Sequence, residues 1–294
     1  MNILFAGFGN LAQQCAQHLQ GWQKNAKIYT LSKSHKTQPF ITHSAALDLA
    51  NIGEVEKQLA DYAQKEIVFD YIFITLAPSG LSGVSTHNRY VNSYLLPLKN
   101  LCSLWPKYLP MPAHVFYTSS TSVYHQSAGE WVDETSSTEP ASENGKLLLQ
   151  AEQQLQNSSF ASTIIRLSGI YSERRQFLVR AVTDGMRGND QYTNRIHELD
   201  ASRVLDHLLR LVDGGSPIQQ LYLASDCQPS TSQEVCRYIA SRLGLPRTLA
   251  DGSQARRESS RAGNKRCANT CLLQTGFTFV YPSFREGYAF LAPD

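Results

Sequence analysis

Short apolar runs alternate with segments of helical spacing along the first two thirds of the chain. An uninterrupted apolar run predicts a buried strand, and apolar residues three or four positions apart predict a helix. The predicted strands are residues 2–6, 27–31, 68–76, 114–118, 162–167 and 221–224, and the predicted helices are residues 11–19, 53–63, 90–104, 145–155 and 232–243. Apolar strands that alternate with helices are typical of a parallel sheet covered on both faces. The pattern therefore predicts an α/β fold with a doubly wound parallel sheet.

The polar segments of the second half carry weaker patterns. Residues 172–195 are polar and basic, and residues 250–264 are rich in arginine and predict a mobile, solvated loop. Residues 277–282 indicate a short strand or an extended segment. These segments predict a smaller region that accompanies the sheet.

The composition narrows the classes of protein and partner. Of the 294 residues, 42% are apolar and 18% are charged, and the net charge is +2. This apolar content excludes an intrinsically disordered chain. The near-zero net charge weighs against a nucleic-acid partner, which needs a concentrated basic surface. No apolar run approaches the roughly 18 residues that span a bilayer, so no membrane partner is expected.

The N-terminus and the cysteines indicate a cytoplasmic protein. The chain enters its first apolar run without a basic region or a cleavage site, so no signal peptide is predicted. The six cysteines are scattered and do not resemble a disulfide framework. Cys267 and Cys271 lack the spacing of a zinc site, and no bound metal is predicted.

A glycine-bearing loop at residues 7–12, with the sequence GFGNLA, follows the first predicted strand and opens the first predicted helix. This is the Gly-x-Gly-x-x-Ala form of the dinucleotide-binding loop. Gly7 permits the tight turn, Gly9 lets a diphosphate approach the backbone, and the alanine keeps the helix close to the sheet. The N-terminus of the helix, at Asn10 and Leu11, faces the phosphate charge. The sequence therefore predicts a nicotinamide dinucleotide at this loop.

The end of the second predicted strand favours NADP over NAD. NAD-binding proteins place an acidic residue there for the ribose hydroxyls, and this chain has Ser32, Lys33 and Ser34 instead. Two hydroxyls and a cation suit a 2′-phosphate, with a solvated surface lysine as the alternative for Lys33. Further predicted coenzyme contacts are Asp48 and Leu49 at the adenine edge, and Leu76, Ala77 and Pro78 at the ribose.

The loop and these contacts place the coenzyme in the first part of the chain. We predict an NAD(P)-binding domain of residues 1–170 with a returning segment of about residues 196–225. Residues 171–195 and 226–294 are expected to form a smaller substrate-side lobe that closes over the carboxyl edge of the sheet.

Several stretches besides the loop carry a family resemblance. They are residues 116–124, 131–134, 166–171 and 194–197. With the loop, they make the chain resemble the extended short-chain dehydrogenase/reductase superfamily, in its epimerase/dehydratase group, over nearly its full length. Residues 265–277 add a similarity to an atypical, YeeZ-like branch. The resemblance implies a Rossmann-type fold, a small polar substrate such as a nucleotide sugar, and a homodimer.

The chemistry that the resemblance implies uses a serine, a tyrosine and a lysine beside the coenzyme. Ser120 matches the serine, which orients the substrate oxygen. Asn144 stands in the tyrosine slot and Leu148 in the lysine slot. An amide has no titratable proton near neutral pH, and a leucine has no charge. The chain therefore departs from the family pattern, and an enzyme would need a non-standard proton donor.

Three side chains are candidates for that donor: Tyr124, His125 and Lys146. Each has a plain alternative as a packing aromatic, a loop residue or a solvated helix residue. Candidate substrate contacts are His125, Arg174 and His197. If no donor exists, the alternative is a non-catalytic NADP-binding sensor or interaction protein. A serine hydrolase is disfavoured, because the chain has no Gly-x-Ser-x-Gly elbow.

Overall fold

The computed structural model describes residues 1–78, 84–245 and 263–291. The strands are β1 (Asn2–Ala6), β2 (Lys27–Ser32), β3 (Ile41–Ala46), β4 (Tyr71–Ile74), β5 (His114–Ser120), β6 (Glu130–Val132), β7 (Ser162–Leu167), β8 (Gly169–Tyr171), β9 (Tyr192–Thr193), β10 (Arg195–His197), β11 (Leu221–Ala224), β12 (Ser230–Thr231) and β13 (Lys265–Cys267). The helices are α1 (Asn10–Trp22), α2 (Ile52–Gln64), α3 (Thr86–Tyr90), α4 (Leu96–Tyr108), α5 (Glu143–Gln156), α6 (Phe177–Thr183), α7 (Glu198–Asp213), α8 (Ser232–Arg242), α9 (Thr270–Gln274) and α10 (Phe284–Gly287).

Seven strands form one sheet in the order β11-β7-β5-β4-β1-β2-β3. The central pairs β1–β2, β2–β3, β1–β4 and β4–β5 are all parallel. The chain runs outward from β1 through β2 and β3 and then crosses to β4, on the other side of β1. The carboxyl ends of β1 and β4 therefore form a switch point, where open α/β sheets bind ligands. The predicted doubly wound, Rossmann-type sheet is confirmed.

The two faces of the sheet are buried by alternating side chains. Leu4 and Ala6 of β1 belong to an apolar cluster that also contains buried residues of α2, α4 and α5. On the opposite face, Phe5 stacks on Phe73 at 4.9 Å between ring centroids, and Phe73 stacks on Phe116 at the same distance. Because both faces are apolar, the strands appear in the sequence as continuous apolar runs.

The predicted helix at residues 90–104 is divided in the structure. The segment begins as α3, continues as a π-helical turn at Val91–Leu95, and ends as α4. Pro97 lies in the first turn of α4, directly after the π-helical turn. The apolar spacing predicted one helix because a π turn inserts a residue without adding a polar signal.

Two other predicted elements differ from the structure. Strand β4 has only four residues, where a run at 68–76 was predicted, because just these residues pair with β1. Residues 277–282 form no strand, so of the two predicted alternatives the short strand is excluded. The N–H groups of Val280 and Tyr281 instead donate to the carboxylate of Asp200. Most of the predicted loop at 250–264 lies outside the described residues.

The chain divides into two compact units. The first comprises Met1–Val123, Pro140–Ile165 and Ser202–Leu221, and contains the glycine loop. The second comprises Tyr124–Glu139, Arg166–Ala201 and Tyr222–Asp294. The second unit has its own apolar cluster, drawn from α6, α8 and α10 around Tyr171. Its described part also contains three short strand pairs: β8 with β10, β9 with β12, and β6 with β13.

Candidate functional site

A cleft with a cavity volume of about 350 Å³ lies in the first unit, at the carboxyl ends of β1, β2 and β4. Its lining residues are Gly7, Phe8, Gly9, Leu31, Ser32, Lys33, Ser34, Lys36, Leu47, Asp48, Leu49, Thr75, Leu76, Ala77, Asn92, Ser93 and Pro97. The cleft thus occupies the switch point of the sheet. Its volume falls within the range of small-molecule sites.

The turn after β1 requires glycine at its first position. Gly7 has a φ of +89°, and a Cβ there would stand 2.7 Å from the carbonyl oxygen of Thr75. The Gly7 N–H donates to the oxygen of Leu31 at 2.8 Å, and the Thr75 hydroxyl donates to the oxygen of Gly7 at 2.7 Å. The loop is therefore fixed to both neighbouring strands, β2 and β4.

The N-terminus of α1 opens into the same cleft. Its N-cap is Gly9, which offers no side-chain hydrogen bond to the first-turn N–H groups. A Cβ at Gly9 would meet no atom within 4 Å, so the space above this glycine is open. Free N–H groups and the positive end of the helix dipole suit an anion. The residues present therefore fit the diphosphate of a dinucleotide.

Charged and hydroxyl groups gather at the β2 edge of the cleft. The Lys33 ammonium lies 3.0 Å from the carboxylate of Asp48, a partner that the sequence reading did not give it. The Lys36 ammonium donates to the Ser34 hydroxyl at 3.0 Å. The Ser32 hydroxyl donates to the carbonyl oxygen of Ser34 at 2.9 Å. This edge thus holds two cations and one carboxylate.

Most of the predicted coenzyme residues line the cleft. Those that do are Gly7, Gly9, Ser32, Lys33, Ser34, Asp48, Leu49, Leu76 and Ala77. Asn10, Leu11 and Pro78 are not among the lining residues. The sequence reading missed Lys36, Asn92 and Ser93. Lys36 follows the predicted serines by only two positions and was a usable signal, whereas Asn92 and Ser93 depend on the unpredicted π turn.

The candidate serine of the first unit, Ser120, is the last residue of β5 and is followed by a short turn at Thr121–Val123. The Ser120 hydroxyl oxygen accepts from the hydroxyl of Ser122 at 2.9 Å and from its N–H at 3.2 Å. The first turn of α5 packs closely on this turn, because a Cβ at Gly145 would stand 2.7 Å from the carbonyl oxygen of Ser122. Asn144, beside this glycine, is half-buried.

Leu148, at the position of the family's lysine, and Lys146, two residues before it, differ in exposure. Leu148 is buried and provides no charge. Lys146 is exposed, and its ammonium binds the carboxylate of Glu143 at 2.7 Å. This contact holds the pKa of Glu143 below its usual value. Lys146 thus forms a surface ion pair within α5.

Tyr124, in the second unit, has a fully engaged hydroxyl group. It donates to the carbonyl oxygen of Asp133 at 2.7 Å and accepts from the Arg166 guanidinium at 2.9 Å. Burial raises the pKa of Tyr124 to about 12, although the Arg166 charge opposes the rise. The guanidinium carbon also lies 4.9 Å from the centre of the tyrosine ring. These contacts are typical of a structural tyrosine.

The other predicted substrate contacts of the second unit have different surroundings. His197 is buried, its ring stacks on Tyr281 at 3.9 Å between centroids, and its Nδ1 accepts the N–H of Leu199 at 3.3 Å. Burial lowers the pKa of His197 and favours its neutral form. His125 and Arg174 are both exposed. Their roles stay predictions.

The described residues contain neither a metal-binding cluster nor a membrane-spanning helix. In the ranges 1–78, 84–245 and 263–291, no three His, Cys, Asp or Glu side chains come close enough to hold a metal ion. Across the same ranges, no helix has the length and apolar character to cross a bilayer.

Comparison with known proteins finds similarity in structure. No protein-family model matches the chain, and no curated protein matches it. A solved protein of Methylobacillus flagellatus, provisionally named an NAD-dependent epimerase/dehydratase, is 27% identical with a TM-score of 0.77, and the alignment covers 99% of this chain and 97% of that one.

Two more distant structures share the fold. Human epimerase family protein SDR39U1, solved with NADPH, is 16% identical with a TM-score of 0.73 and 99% of both chains covered. MoeE5, solved with UDP-glucuronic acid and NAD, is 17% identical with a TM-score of 0.73, covering 98% of this chain and 97% of that one. The chain therefore has the Rossmann-type fold of the extended short-chain dehydrogenase/reductase superfamily.

Proposed function

We propose that the chain binds NADP(H) in the cleft of the first unit and is an epimerase/dehydratase-like or reductase-like enzyme of a small polar substrate. One observation carries the proposal: the glycine loop, the uncapped start of α1 and a pair of lysines line the same cleft. The loop and helix fit a diphosphate, and the lysines lie at the edge where the second strand ends.

Lys36 supports the choice of NADP over NAD. Lys33 is compensated by Asp48, whereas Lys36 has no carboxylate within 4.0 Å among the described residues. An ammonium that is bonded only to a hydroxyl has charge available for a 2′-phosphate. We therefore assign the phosphate preference mainly to Lys36, with Ser34 as a hydroxyl partner.

Fewer contacts support the proposed catalytic roles than support the proposed binding of the coenzyme. NADP(H) supplies or accepts the hydride when bound. Ser120 would orient the substrate oxygen, as the family resemblance implies. The Tyr124 hydroxyl already donates to Asp133 and accepts from Arg166, which leaves His125 and Lys146 of the predicted donors. The UDP-glucuronic acid bound to MoeE5 makes nucleotide sugars the first substrates to test.

The experiment measures the dissociation constants of NADPH and NADH by fluorescence titration. We expect the wild type to bind NADPH more tightly, and Lys36→Gln to weaken NADPH about tenfold while NADH changes little, because only NADPH carries the 2′-phosphate. The control is Lys57→Gln, an exposed lysine of α2 away from the cleft. Equal losses for both coenzymes, or tighter NADH binding by the wild type, would contradict the preference.

A second candidate is an NADP-binding protein without turnover. It is favoured by Asn144 and Leu148 in the tyrosine and lysine slots, since neither side chain transfers a proton. NADPH binding without any product from a carbonyl and nucleotide-sugar panel would support this candidate. Products must be analysed directly, because an epimerase regenerates its coenzyme. The predicted cytoplasmic location and homodimer stay predictions.

A further inference from the structure

An arginine of the second unit is held between two aromatic rings. Arg266 lies on β13 opposite Trp131 of β6. Its guanidinium carbon is 5.0 Å from the ring centre of Trp131 and 5.0 Å from that of Tyr192. Its Nε donates to the carbonyl oxygen of Gly129 at 2.7 Å. Three contacts thus fix the plane of the guanidinium.

The backbone around this arginine is fixed as well. Asn264 accepts the N–H of Tyr192 on its side-chain oxygen at 2.8 Å, and it accepts the N–H of Gly129 on its carbonyl oxygen, also at 2.8 Å. Gly129 has a φ of +85°, and a Cβ at this position would stand 3.6 Å from the Tyr192 ring. The ring and the Gly129 carbonyl are therefore positioned before any ligand arrives, which lowers the entropic cost of binding.

The outer edge of the guanidinium has no partner in the described part of the chain. Neither terminal nitrogen of Arg266 makes a hydrogen bond there, and no carboxylate lies within 4.0 Å. The acid on the neighbouring strand, Glu130, accepts the N–H of Ala128 instead. Arg266 is only half-buried, and 56% of the Trp131 surface is exposed. The unpaired edge is therefore open to a ligand.

A second arginine that stacks on a tryptophan, Arg210 on Trp22, serves as a structural comparison. Arg210 lies 4.6 Å from the ring centre of Trp22, and its charge is neutralised by Asp206 at 2.8 Å. Asp206 also accepts the indole N–H of Trp22 at 2.7 Å, which closes the cluster. Among the described residues, Arg266 has the stacking without a neutralising acid. Within that part of the chain, the lack of a counter-charge distinguishes it from the structural Arg210.

We propose that Arg266, Trp131 and Tyr192 form a binding site for an oxyanion carried on a ring compound, either a phosphate monoester or a carboxylate. The two terminal nitrogens would donate side by side to two oxygens, as guanidinium does with both groups. The exposed indole would cover the ring of the ligand. This site involves residues of the second unit alone and stands independently of the proposed coenzyme.

Calorimetric titration without coenzyme tests the site with three matched sugars. D-glucose 6-phosphate carries a phosphate, D-glucuronate a carboxylate, and D-glucose neither. We expect one or both anions to bind the wild type and glucose not to bind. Arg266→Lys should weaken the bound anion about tenfold, because the ammonium lacks the paired donors, and Arg266→Gln should weaken it further.

The control is Arg237→Lys, the same change at an exposed arginine of α8 in the same unit. It should leave the dissociation constant unchanged, and thermal melting should show that all variants fold. The site is overturned if neither anion binds the wild type, if Arg266→Lys binds as well as the wild type, or if Arg237→Lys is weakened equally. None of these outcomes depends on NADPH, whose binding is measured separately.

Discussion

The hydroxyl group of Tyr124 is hydrogen-bonded on both sides within the second unit. The sequence placed this tyrosine four residues after Ser120, at a position suitable for a substitute acid. In the structure its hydroxyl donates a hydrogen bond to the carbonyl oxygen of Asp133 and accepts one from the Arg166 guanidinium, and burial raises its pKa to about 12. An acid needs a proton directed at the substrate and a pKa near the working pH. Tyr124 has neither property.

Tyr124→Phe should lower the free energy of unfolding by about 1–3 kcal/mol, because the half-buried Asp133 carbonyl oxygen and the buried Arg166 guanidinium each lose a partner. Chemical denaturation measures the loss. Tyr62→Phe is the control: the buried Tyr62 hydroxyl has no hydrogen-bond partner among the residues that the structure describes, so its removal should cost little. Where a substrate is found, turnover should survive in Tyr124→Phe and disappear in Ser120→Ala. The reverse pattern would restore Tyr124 as the proton donor.

The ion pair of Lys33 and Asp48 could not be predicted from the sequence. Both residues were predicted to contact the coenzyme, but nothing in the sequence joins two positions 15 residues apart. The register of β2 on β3, with Ser32 beside Ala46, brings them together. The loop glycines were predictable because their role is local, whereas the pairing of charges depends on strand register.

The first turn of helix α5 contains a residue of low helix propensity. Gly145 occupies the first turn, although glycine is a poor helix former. The reason is the close approach of two neighbours: a Cβ would stand 2.6 Å from the Cβ of Pro140 and 2.7 Å from the oxygen of Ser122. This contact holds the start of the helix, with Asn144, against the turn that directly follows Ser120.

Gly145→Ala should destabilise the protein by about 1–3 kcal/mol, because the overlap with backbone and ring atoms outweighs the gain in helix propensity. Gly21→Ala in α1 makes the same change where a Cβ would meet no atom within 4 Å. That control should gain about 0.5–1 kcal/mol. Urea unfolding compares both variants with the wild type. If both alanines stabilise, the close packing of α5 on the turn is not present in solution.

Strands were more predictable than the segments between them. Each of the four residues of β4 is buried, and the same is true of most of β1, so the apolar runs were visible in the sequence. The π turn at Val91–Leu95 was not visible, because Tyr94 and Leu98 keep an apolar spacing that also fits a regular helix. The residues that this turn adds to the cleft, Asn92 and Ser93, were missed for that reason.

The position of the cleft in the molecule could be predicted from the topology of the sheet. A parallel sheet whose first strand is central must have its switch point beside that strand, and the glycine loop follows it directly. The grouping of distant segments was harder to predict. Residues 124–139 lie between β5 and α5 in sequence but join the second unit, through the pairing of β6 with β13. That pairing links positions more than 130 residues apart, which no local pattern encodes.

The stability of the molecule should depend on a carboxyl group buried in its second unit. Asp226 is fully buried, and burial raises its pKa to about 7. The Arg195 charge opposes the rise, and Glu286 and Asp200 add to it. Since the folded-state pKa exceeds the unfolded value, the folded form holds the proton more tightly. Its contribution to stability is therefore complete below about pH 4 and is lost as pH rises towards 7.

Asp226→Asn removes this titration while keeping the shape of the protonated group. Between pH 5.5 and 7.5 the wild type should lose about 2 kcal/mol that the variant keeps, so the variant's relative stability should rise by that amount. Thermal and chemical unfolding at both pH values measure the difference, and the buried His197 cancels because both proteins contain it. Asp190→Asn, at an exposed position of the same unit, should show no such change. Parallel pH profiles for Asp226→Asn and the wild type would mean that Asp226 is already ionised in the folded protein at pH 5.5.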